Sequence, residues 1–174
     1  KAKTMDSILI KGIDCHIGSQ ITDLKPFEDS VKKLIALINK LEIEGINIEH
    51  IDIGGGIGIS YEDEKAIPFD DYAKAVTALT KGRDFKILLE PGRVIMADAG
   101  AILTKVEYVK KTQDKNFAII DAAMNDLMRP SLYGAFHKIV NTSEIADKES
   151  VFDIVGPICE TGDFIGKDRV ISIE

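Results

Sequence analysis

The sequence predicts an α/β protein in which parallel strands and crossover helices are followed by an antiparallel β region. Over residues 1–100, short apolar runs alternate with amphipathic helical patterns, which is typical of parallel strands joined by helices. The strand runs are almost wholly apolar, as expected for strands that are buried on both faces. After Gly100 the apolar residues recur with a period near two, and no long amphipathic helix separates the runs. We therefore predict two domains, residues 1–100 and residues 101–174.

Three strands and three helices are predicted in the first domain. The strands cover, in order, residues 8–17, 46–53 and 85–90. The first helix lies between Asp23 and Gly45 and the second between Pro68 and Gly82, because acidic residues and proline favour helix starts and glycine favours helix ends. Apolar residues recur on one face of each helix, at Phe27, Val31, Leu34, Ile35, Ile38 and Leu41 in the first and at Tyr72, Val76 and Leu79 in the second. A third, short helix starts near Pro91.

The second domain is predicted to contain short strands only. They cover residues 101–110, 117–121, 139–140, 151–155 and 169–173. A complete barrel of alternating strands and helices requires eight units and about 250 residues, whereas the first domain has three such units. A smaller open α/β sheet is the alternative. Both ends of the chain are abrupt and adjoin apolar runs, so we expect a piece of a longer protein.

Composition and charge restrict the class of partner. A net charge of −7 over 174 residues argues against nucleic acid or an anionic membrane surface as the main partner. No apolar run approaches the roughly 20 residues of a membrane-spanning helix, and no signal-peptide pattern is present. Cys15 and Cys159 lie far apart without CxxC spacing, which suits free thiols in a reducing cytoplasm. We therefore expect a cytoplasmic protein that acts on a small molecule.

Polar and glycine-rich clusters follow the three predicted strands of the first domain, where active sites form in parallel α/β folds. Three consecutive glycines at residues 54–56 can bring backbone N–H groups close to a phosphate. A sharp turn that binds nothing is the alternative explanation for this loop. The other clusters that carry candidate chemistry are residues 16–20, 90–93, 124–133 and 156–163.

Together these clusters resemble the diaminopimelate decarboxylase family of pyridoxal-phosphate enzymes, which have the alanine-racemase-like fold. The family carries HIGSQ, GGG, EPGR, NDLMRPxxY and CESGD stretches in this order, and all five occur here at compatible spacing. One departure is Thr161, where the family usually has serine; the hydroxyl is kept. The resemblance implies that residues 1–100 are the last three βα units of a pyridoxal-phosphate-binding (β/α)8 TIM-like barrel. Residues 101–174 would be part of its C-terminal β domain.

The resemblance also implies a cofactor site in the first domain. The residues that would hold the cofactor phosphate are Ser19, Gly55, Gly56, Gly92 and Arg93. Glu90 would bind the pyridine nitrogen and keep the ring protonated, and His16 would lie against the ring face. Without the resemblance, Glu90 would be an acid favoured at a helix N-terminus, and His16 would be a structural residue at a strand end.

The second domain would supply the proton donor and part of the substrate site. The carbon that loses CO₂ must be protonated, and a thiol of moderate pKa is a suitable acid, so the resemblance makes Cys159 the proton donor. It would reach the cofactor of a partner subunit. Arg93 and Arg129 suit substrate carboxylates, Glu160 suits a distal ammonium, and Tyr133 offers a hydroxyl. Taken alone, Cys159 would be a small buried apolar residue, and Arg129 and Tyr133 ordinary surface residues.

Two parts of the family pattern have no counterpart in the sequence. The Schiff-base lysine of the family lies on an early barrel strand, upstream of the HIGSQ stretch. Lys11, Lys86 and Lys105 do not stand in a matching motif. A late tyrosine-containing segment is also missing. The 174 residues alone are therefore expected to be inactive.

Several rival interpretations require sequence features that differ from those found here. A dinucleotide-binding domain requires GxGxxG at the start of a helix, but Ile59 occupies the third glycine position. The histidines and cysteines lack zinc-ligand spacing, so no metal is expected. Ornithine- or arginine-type decarboxylases act on substrates with a cationic distal end, whereas Arg129 indicates a distal carboxylate. Carboxynorspermidine decarboxylase is a closer rival, and a catalytically inactive paralogue or binding module is the non-enzyme alternative.

The sequence thus predicts a homodimeric cytoplasmic lyase with an active site shared between subunits. With pyridoxal 5′-phosphate it would convert meso-2,6-diaminopimelate to L-lysine and CO₂, the last step of lysine biosynthesis.

Overall fold

The computed structural model describes residues 1–142 and 148–173. The chain divides into two compact units, Lys1–Gly100 and Ala101–Glu174. In the described part of the chain, no helix combines the length and the apolar character needed to cross a membrane.

The first unit is a three-stranded parallel sheet with two long helices. The strands are β1 (Gly12–Asp14), β2 (His50–Asp52) and β3 (Lys86–Leu88), in the order β1-β2-β3. The helices are α1 (Lys25–Ile43), α2 (Phe69–Thr80) and the short α3 (Arg93–Met96), and a 3-10 turn, Ala2–Thr4, precedes the first strand. This parallel α/β arrangement and the three helices confirm the prediction. Parallel neighbours require a crossover, and α1 and α2 provide one each.

Helices α1 and α2 cover one face of the parallel sheet. Most of their predicted apolar positions are buried, Ile35, Leu41 and Leu79 are partly buried, and Ile51 at the centre of β2 is fully buried beneath them. Phe27 of α1 and Tyr72 of α2 meet edge to face, with ring centroids 5.1 Å apart. Both helices end before a glycine with positive φ, Gly45 at +74° and Gly82 at +78°. Only glycine adopts this conformation without strain, which explains why these two residues mark the helix ends.

Two expectations about the parallel strands are wrong. The strands are three residues long, because each pairs only over the segment where its neighbour also runs straight. They are also covered on one face only. Leu88 and Leu89 are 42% and 51% exposed, and Ile95 of α3 is 59% exposed. Among the described residues of the first unit, none forms a layer over the second face of the sheet.

The second unit is a four-stranded sheet of mixed direction. Its strands are β4 (Val106–Lys111), β5 (Asn116–Ile120), β6 (Ser150–Val155) and β7 (Phe164–Ile171), in sequential order. Strands β4 and β5 pair antiparallel, as do β6 and β7, but β5 and β6 pair parallel. The prediction of a wholly antiparallel domain is therefore wrong. The reason is the long connection between β5 and β6, which is a crossover rather than a hairpin and contains the short helix α4 (Arg129–Tyr133).

The strand limits in this sheet also differ from those predicted. Strand β4 starts at Val106 rather than at residue 101, and just before it the Asp121 carboxylate accepts hydrogen bonds from the Lys105 N–H (2.9 Å) and the Thr104 hydroxyl (2.5 Å). Residues 139–140 form no strand. Ile139 packs against the core of the second unit, and the Asn141 side chain donates to the Ser172 carbonyl (2.9 Å). The core of this unit includes Phe152 and its neighbours Ala118, Ile120, Ala122, Ile154 and Ile165.

A buried carboxylate stabilises a bulge between β6 and β7. Asp153 is 7% exposed, and its Oδ1 accepts a hydrogen bond from the Asp168 N–H (2.8 Å), while its Oδ2 binds the Lys115 ammonium (2.9 Å). Asp168 has φ +52° and lies where β7 carries one extra residue. Burial alone would raise the pKa of Asp153, but the hydrogen bonds from Asp168 and Lys115 outweigh it and hold the pKa below its usual value.

Replacing Asp153 by asparagine is expected to destabilise the protein by about 1–3 kcal/mol at pH 7. The folded pKa of Asp153 is lowered, so its contribution is present above the unfolded pKa of about 4 and is lost as the pH falls through the folded pKa. Denaturant unfolding of both proteins at pH 7 and at about pH 3 measures this difference. Asp114→Asn, an exposed carboxyl in the adjoining turn, is the control. An equal difference at both pH values would contradict the prediction.

Candidate active site

The loops that follow β1, β2 and β3 meet at one edge of the parallel sheet. The carboxyl ends of parallel strands share an edge, so residues far apart in the chain become neighbours there. The Cys15 N–H donates to the Asp52 carbonyl (3.0 Å), and the Glu90 N–H donates to the Gly54 carbonyl (2.9 Å). The Ile21 N–H donates to the Gly56 carbonyl (2.9 Å). Backbone hydrogen bonds thus join all three loops.

The glycine loop lies at the centre of this edge, and its glycines cannot carry side chains. Gly54 and Gly56 have positive φ, +70° and +99°. A Cβ on Gly55 would collide with the Glu90 carbonyl, and one on Gly56 would collide with the Gly18 carbonyl. The Asp52 Oδ1 accepts a hydrogen bond from the Gly54 N–H (2.8 Å), which holds the start of the loop. The close approach of three backbones is therefore the structural reason for the triple glycine.

His16 and Glu90 lie on either side of the glycine loop. The His16 Nδ1 accepts a 3.4 Å hydrogen bond from the Gly55 N–H, and its side chain is exposed. The Glu90 backbone lies against Gly55, and its side chain is also exposed. The two predicted ring-binding residues are thus close to the glycines and open to a ligand.

Three carboxylates form an acidic group beside this loop. Oxygen atoms of Asp14, Asp52 and Glu90 all lie within 4.8 Å of one another. Asp14 and Asp52 are register partners in β1 and β2, and the alternating residues Ile13 and Ile51 pack towards the helices. The aspartates therefore point to the uncovered face of the sheet. A group of carboxylates favours a bound cation, and the protonated pyridine nitrogen of the predicted cofactor would be such a cation. The absence of a metal stays a prediction, because hard divalent cations also accept carboxylate ligands.

Arg93 is held at the same edge by a neighbouring amide. Its Nη1 donates to the Gln20 Oε1 (3.0 Å), and its Cζ lies 5.9 Å from the centre of the Tyr61 ring. Gly92 precedes the first residue of α3, and its carbonyl accepts from the Ile95 N–H (3.0 Å). Ser19 is exposed in the loop after β1. All seven predicted cofactor residues thus belong to the three loops at this edge.

These residues fit the predicted cofactor. Arg93 brings guanidinium donors for an anion to the edge where the glycine loop joins the other two loops. A carboxylate group stands beside the glycine loop for a protonated ring nitrogen, and His16 is exposed next to the loop. A phosphorylated aromatic cation is therefore a better match to this donor set than a neutral ligand.

In the second unit, two loops that carry predicted site residues are tied together. The Asp163 carboxylate is 3% exposed; its Oδ1 accepts from the Met124 N–H and its Oδ2 from the Ile158 N–H, both at 2.7 Å. A Cβ on Gly156 would occupy the space of this carboxylate. The Ser131 hydroxyl of α4 also donates to the Gly162 carbonyl. The segment 124–133 and the loop 156–163 are thus neighbours.

The predicted catalytic and substrate residues of this unit lie on that pair of segments. Cys159, Glu160 and Tyr133 are exposed, and the Glu160 Oε1 accepts from the Gly162 N–H (3.2 Å). Cys159 is therefore not the buried apolar residue of the alternative interpretation. Arg129 starts α4, and its Cζ lies 5.3 Å from the centre of the Tyr133 ring.

A histidine lies close to Arg129 in this unit. Burial, followed by the charges of Arg129 and Arg169, lowers the pKa of His137, so its ring is neutral at physiological pH. A neutral ring adds no further positive charge beside Arg129.

Sequence reasoning did not single out four residues that organise these segments: Asp14, Gln20, Asp52 and Asp163. Gln20 and Asp163 stand inside recognised motifs, and their polarity next to glycines was the available signal. Their partners could not be identified, because each binds residues that are distant in sequence.

Comparison with known proteins gives consistent matches over nearly the whole chain. The family described as "Pyridoxal-dependent decarboxylase, C-terminal sheet domain" matches residues 8–174. The diaminopimelate decarboxylase of Neisseria meningitidis serogroup B is 51% identical over 99% of the chain, and that of Vibrio cholerae serotype O1 is 49% identical over 99%. The chain spans 42% of the length of each of these relatives.

A solved structure gives the same result. The crystal structure of diaminopimelate decarboxylase from Helicobacter pylori complexed with L-lysine superposes with a TM-score of 0.92 at 40% identity. The match covers 99% of this chain and 43% of that one.

Proposed function

Because the chain belongs to the pyridoxal-dependent decarboxylase family, which it matches over residues 8–174, we propose that it is part of a diaminopimelate decarboxylase. The complete enzyme would convert meso-2,6-diaminopimelate to L-lysine and CO₂. The observation that carries this proposal is the meeting of a glycine loop, an exposed histidine and a carboxylate group at one sheet edge. The relatives of this name, which are about half identical in sequence, support the same activity.

The first unit would hold pyridoxal 5′-phosphate. The phosphate would be bound by Ser19, Gly55, Gly56, Gly92 and Arg93, which stand where backbone hydrogen bonds join the three loops at one edge. Glu90 would accept a hydrogen bond from the pyridine nitrogen and keep a proton there, and His16 would lie against the ring. When bound, the cofactor takes up the electron pair that is released as CO₂ leaves.

Cys159 would return a proton to the substrate. The bond to the departing carboxylate breaks, and the electron pair that it leaves on carbon forms a new C–H bond with the thiol proton. The exposed position of Cys159 supports this role, because the thiol must reach a reacting atom outside its own loop.

The charged ends of the substrate would be bound by four side chains. Arg93 and Arg129 would each pair with a carboxylate, and Glu160 with the distal ammonium. Tyr133 would offer its hydroxyl to the substrate as a hydrogen-bonding group. The contact between Arg129 and the Tyr133 ring supports a common ligand for these two side chains.

The rest of the architecture is part of the same proposal. Residues 1–100 would be the last three βα units of a TIM-like barrel, and earlier units would cover the exposed face that carries Leu88. Residues 101–174 would be part of the C-terminal β domain. We expect a homodimer in which Cys159 of one subunit serves the cofactor of the other. The two free cysteines support a location in the reducing cytoplasm.

The test is an assay of the full-length protein with pyridoxal phosphate. CO₂ release from meso-diaminopimelate, together with the formation of L-lysine, is expected. Release from carboxynorspermidine, ornithine or arginine, but not from diaminopimelate, would reject the substrate assignment. The upstream sequence provides a second check, because replacement of the lysine on the early barrel strand would indicate a catalytically inactive paralogue. A native mass of one subunit would contradict the homodimer.

A further inference from the structure

One side chain joins all three loops of the candidate cofactor site. Gln20 lies in the loop after β1, and its Nε2 donates to the carbonyl of Ile59, in the loop after β2 (2.6 Å). Its Oε1 accepts from the Ile59 N–H (3.3 Å) and from the Nη1 of Arg93, the first residue of α3 (3.0 Å). The Gln20 amide thus forms two hydrogen bonds with the backbone of Ile59, one through its nitrogen and one through its oxygen. The same oxygen also accepts a hydrogen bond from the charged Arg93 side chain.

The backbone at Gln20 is fixed in an uncommon conformation. Its φ is +61°, and among the described residues only Asp168 is another non-glycine residue with positive φ. Residues persist in this region where their surroundings hold them there. Here the following residue, Ile21, donates to the Gly56 carbonyl (2.9 Å) and accepts from the Gly58 N–H (2.8 Å). Hydrogen bonds to the glycine loop therefore fix the backbone from which the Gln20 side chain extends.

Arg93 needs a partner that orients its guanidinium if it is to bind an anion well. A free arginine side chain loses considerable rotamer entropy when it is fixed, and it binds an oxyanion well only when its planar group is oriented. Gln20 takes one of its five N–H donors, and Tyr61 lies beside the guanidinium. Further donors remain for a carboxylate or phosphate oxygen.

We propose that Gln20 is a positioning residue that orients Arg93 towards an anionic oxygen of a bound small molecule. It acts through the guanidinium and does not itself touch the ligand. The proposed function supplies the identity of the ligand, and the oxyanion belongs either to the substrate carboxylate or to the cofactor phosphate. Both offer the oxygen pair that an oriented guanidinium recognises.

The experiment compares Gln20→Leu, Arg93→Met and the double variant in the full-length protein. Pyridoxal phosphate binding is measured by absorbance titration, and L-lysine binding to the cofactor-loaded protein by calorimetry. Gln20→Leu is expected to weaken binding of one of the two ligands by roughly tenfold, the typical effect of losing a hydrogen bond to a charged group. In the Arg93→Met background, the same change is expected to add less than about twofold, because its effect passes through Arg93.

The ligand whose binding is weakened is the one that carries the oxyanion bound by Arg93. Gln113→Leu, in an exposed turn of the second unit, makes the same chemical change away from the site and is expected to bind both ligands as wild type. Wild-type affinity of Gln20→Leu for both ligands would overturn the inference. A similar further loss on adding Gln20→Leu to Arg93→Met would also overturn it, because it would show a general structural role. Failure of the proposed function would appear differently, as no CO₂ release from diaminopimelate by the wild type.

Discussion

Replacing Cys159 by alanine in the full-length enzyme is expected to lower kcat by about 10²–10⁴-fold, the usual contribution of a positioned general acid. The substitution removes the proton that the reacting carbon would receive. Cofactor binding should change little, because the predicted cofactor residues all belong to the first unit and Cys159 belongs to the second. Stopped-flow or CO₂-release assays give kcat, and absorbance titration gives the apparent Kd for pyridoxal phosphate.

The second cysteine provides a matched control for this experiment. Cys15 is half-buried, and its Sγ lies 3.1 Å from the Ser30 Oγ, between β1 and α1. Cys15→Ala is expected to leave kcat within about twofold of wild type, since removing a neutral hydrogen bond of this kind has a modest effect. Unchanged turnover in Cys159→Ala would remove Cys159 from the mechanism. An equal loss in both variants would indicate a general effect on folding instead.

Replacing Glu90 by glutamine is expected to lower kcat by about 10²–10³-fold, as found when one preorganised charge-stabilising group is removed. Glutamine keeps the size and the backbone contacts of Glu90 but cannot hold a proton on the pyridine nitrogen. The ring then takes up the electron pair less readily. The absorption spectrum of the bound cofactor, recorded with kcat, reports the change at the ring directly.

Two further variants make the test of Glu90 specific. Asp14→Asn removes a neighbouring carboxylate of the same acidic group, and Glu62→Gln removes an exposed carboxylate in the loop that follows the glycines. Asp14→Asn is expected to change kcat much less than Glu90→Gln, and Glu62→Gln is expected to behave as wild type. If Asp14→Asn reproduced both the spectrum and the loss of kcat, the partner of the nitrogen could not be Glu90 alone.

The two long helices could be predicted from local information. The periodic apolar residues of α1, for example Phe27, Val31 and Ile38, are the residues that the structure buries. The glycines at 45 and 82 mark the helix ends through their own backbone preference. Helical periodicity and glycine conformation both depend on residues within a few positions of one another, so the sequence contains them directly.

The strands were predicted less well, because a strand depends on its neighbours. Its limits are set by the length over which a partner runs beside it, and the partner is distant in the chain. The direction of β6 relative to β5 followed from a connection of nearly thirty residues whose path is not a local property. The contacts of the Asp121 side chain with Thr104 and Lys105, just before β4, are likewise not indicated by any periodicity.

The members of the candidate site could be recognised from their motifs, whereas their arrangement could not. HIGSQ, the triple glycine and EPGR imply phosphate and ring binding through their resemblance to a family that carries these stretches in the same order. The residues alone also indicated two domains and a parallel α/β arrangement, whereas the chemistry of a decarboxylase was implied by the resemblance of the motifs to a family. The tertiary structure alone brought Gln20 to Arg93, which is 73 positions away, and gathered Asp14, Asp52 and Glu90 within 4.8 Å. The physical reason is that parallel strands place their carboxyl ends side by side, whatever the length of chain between them.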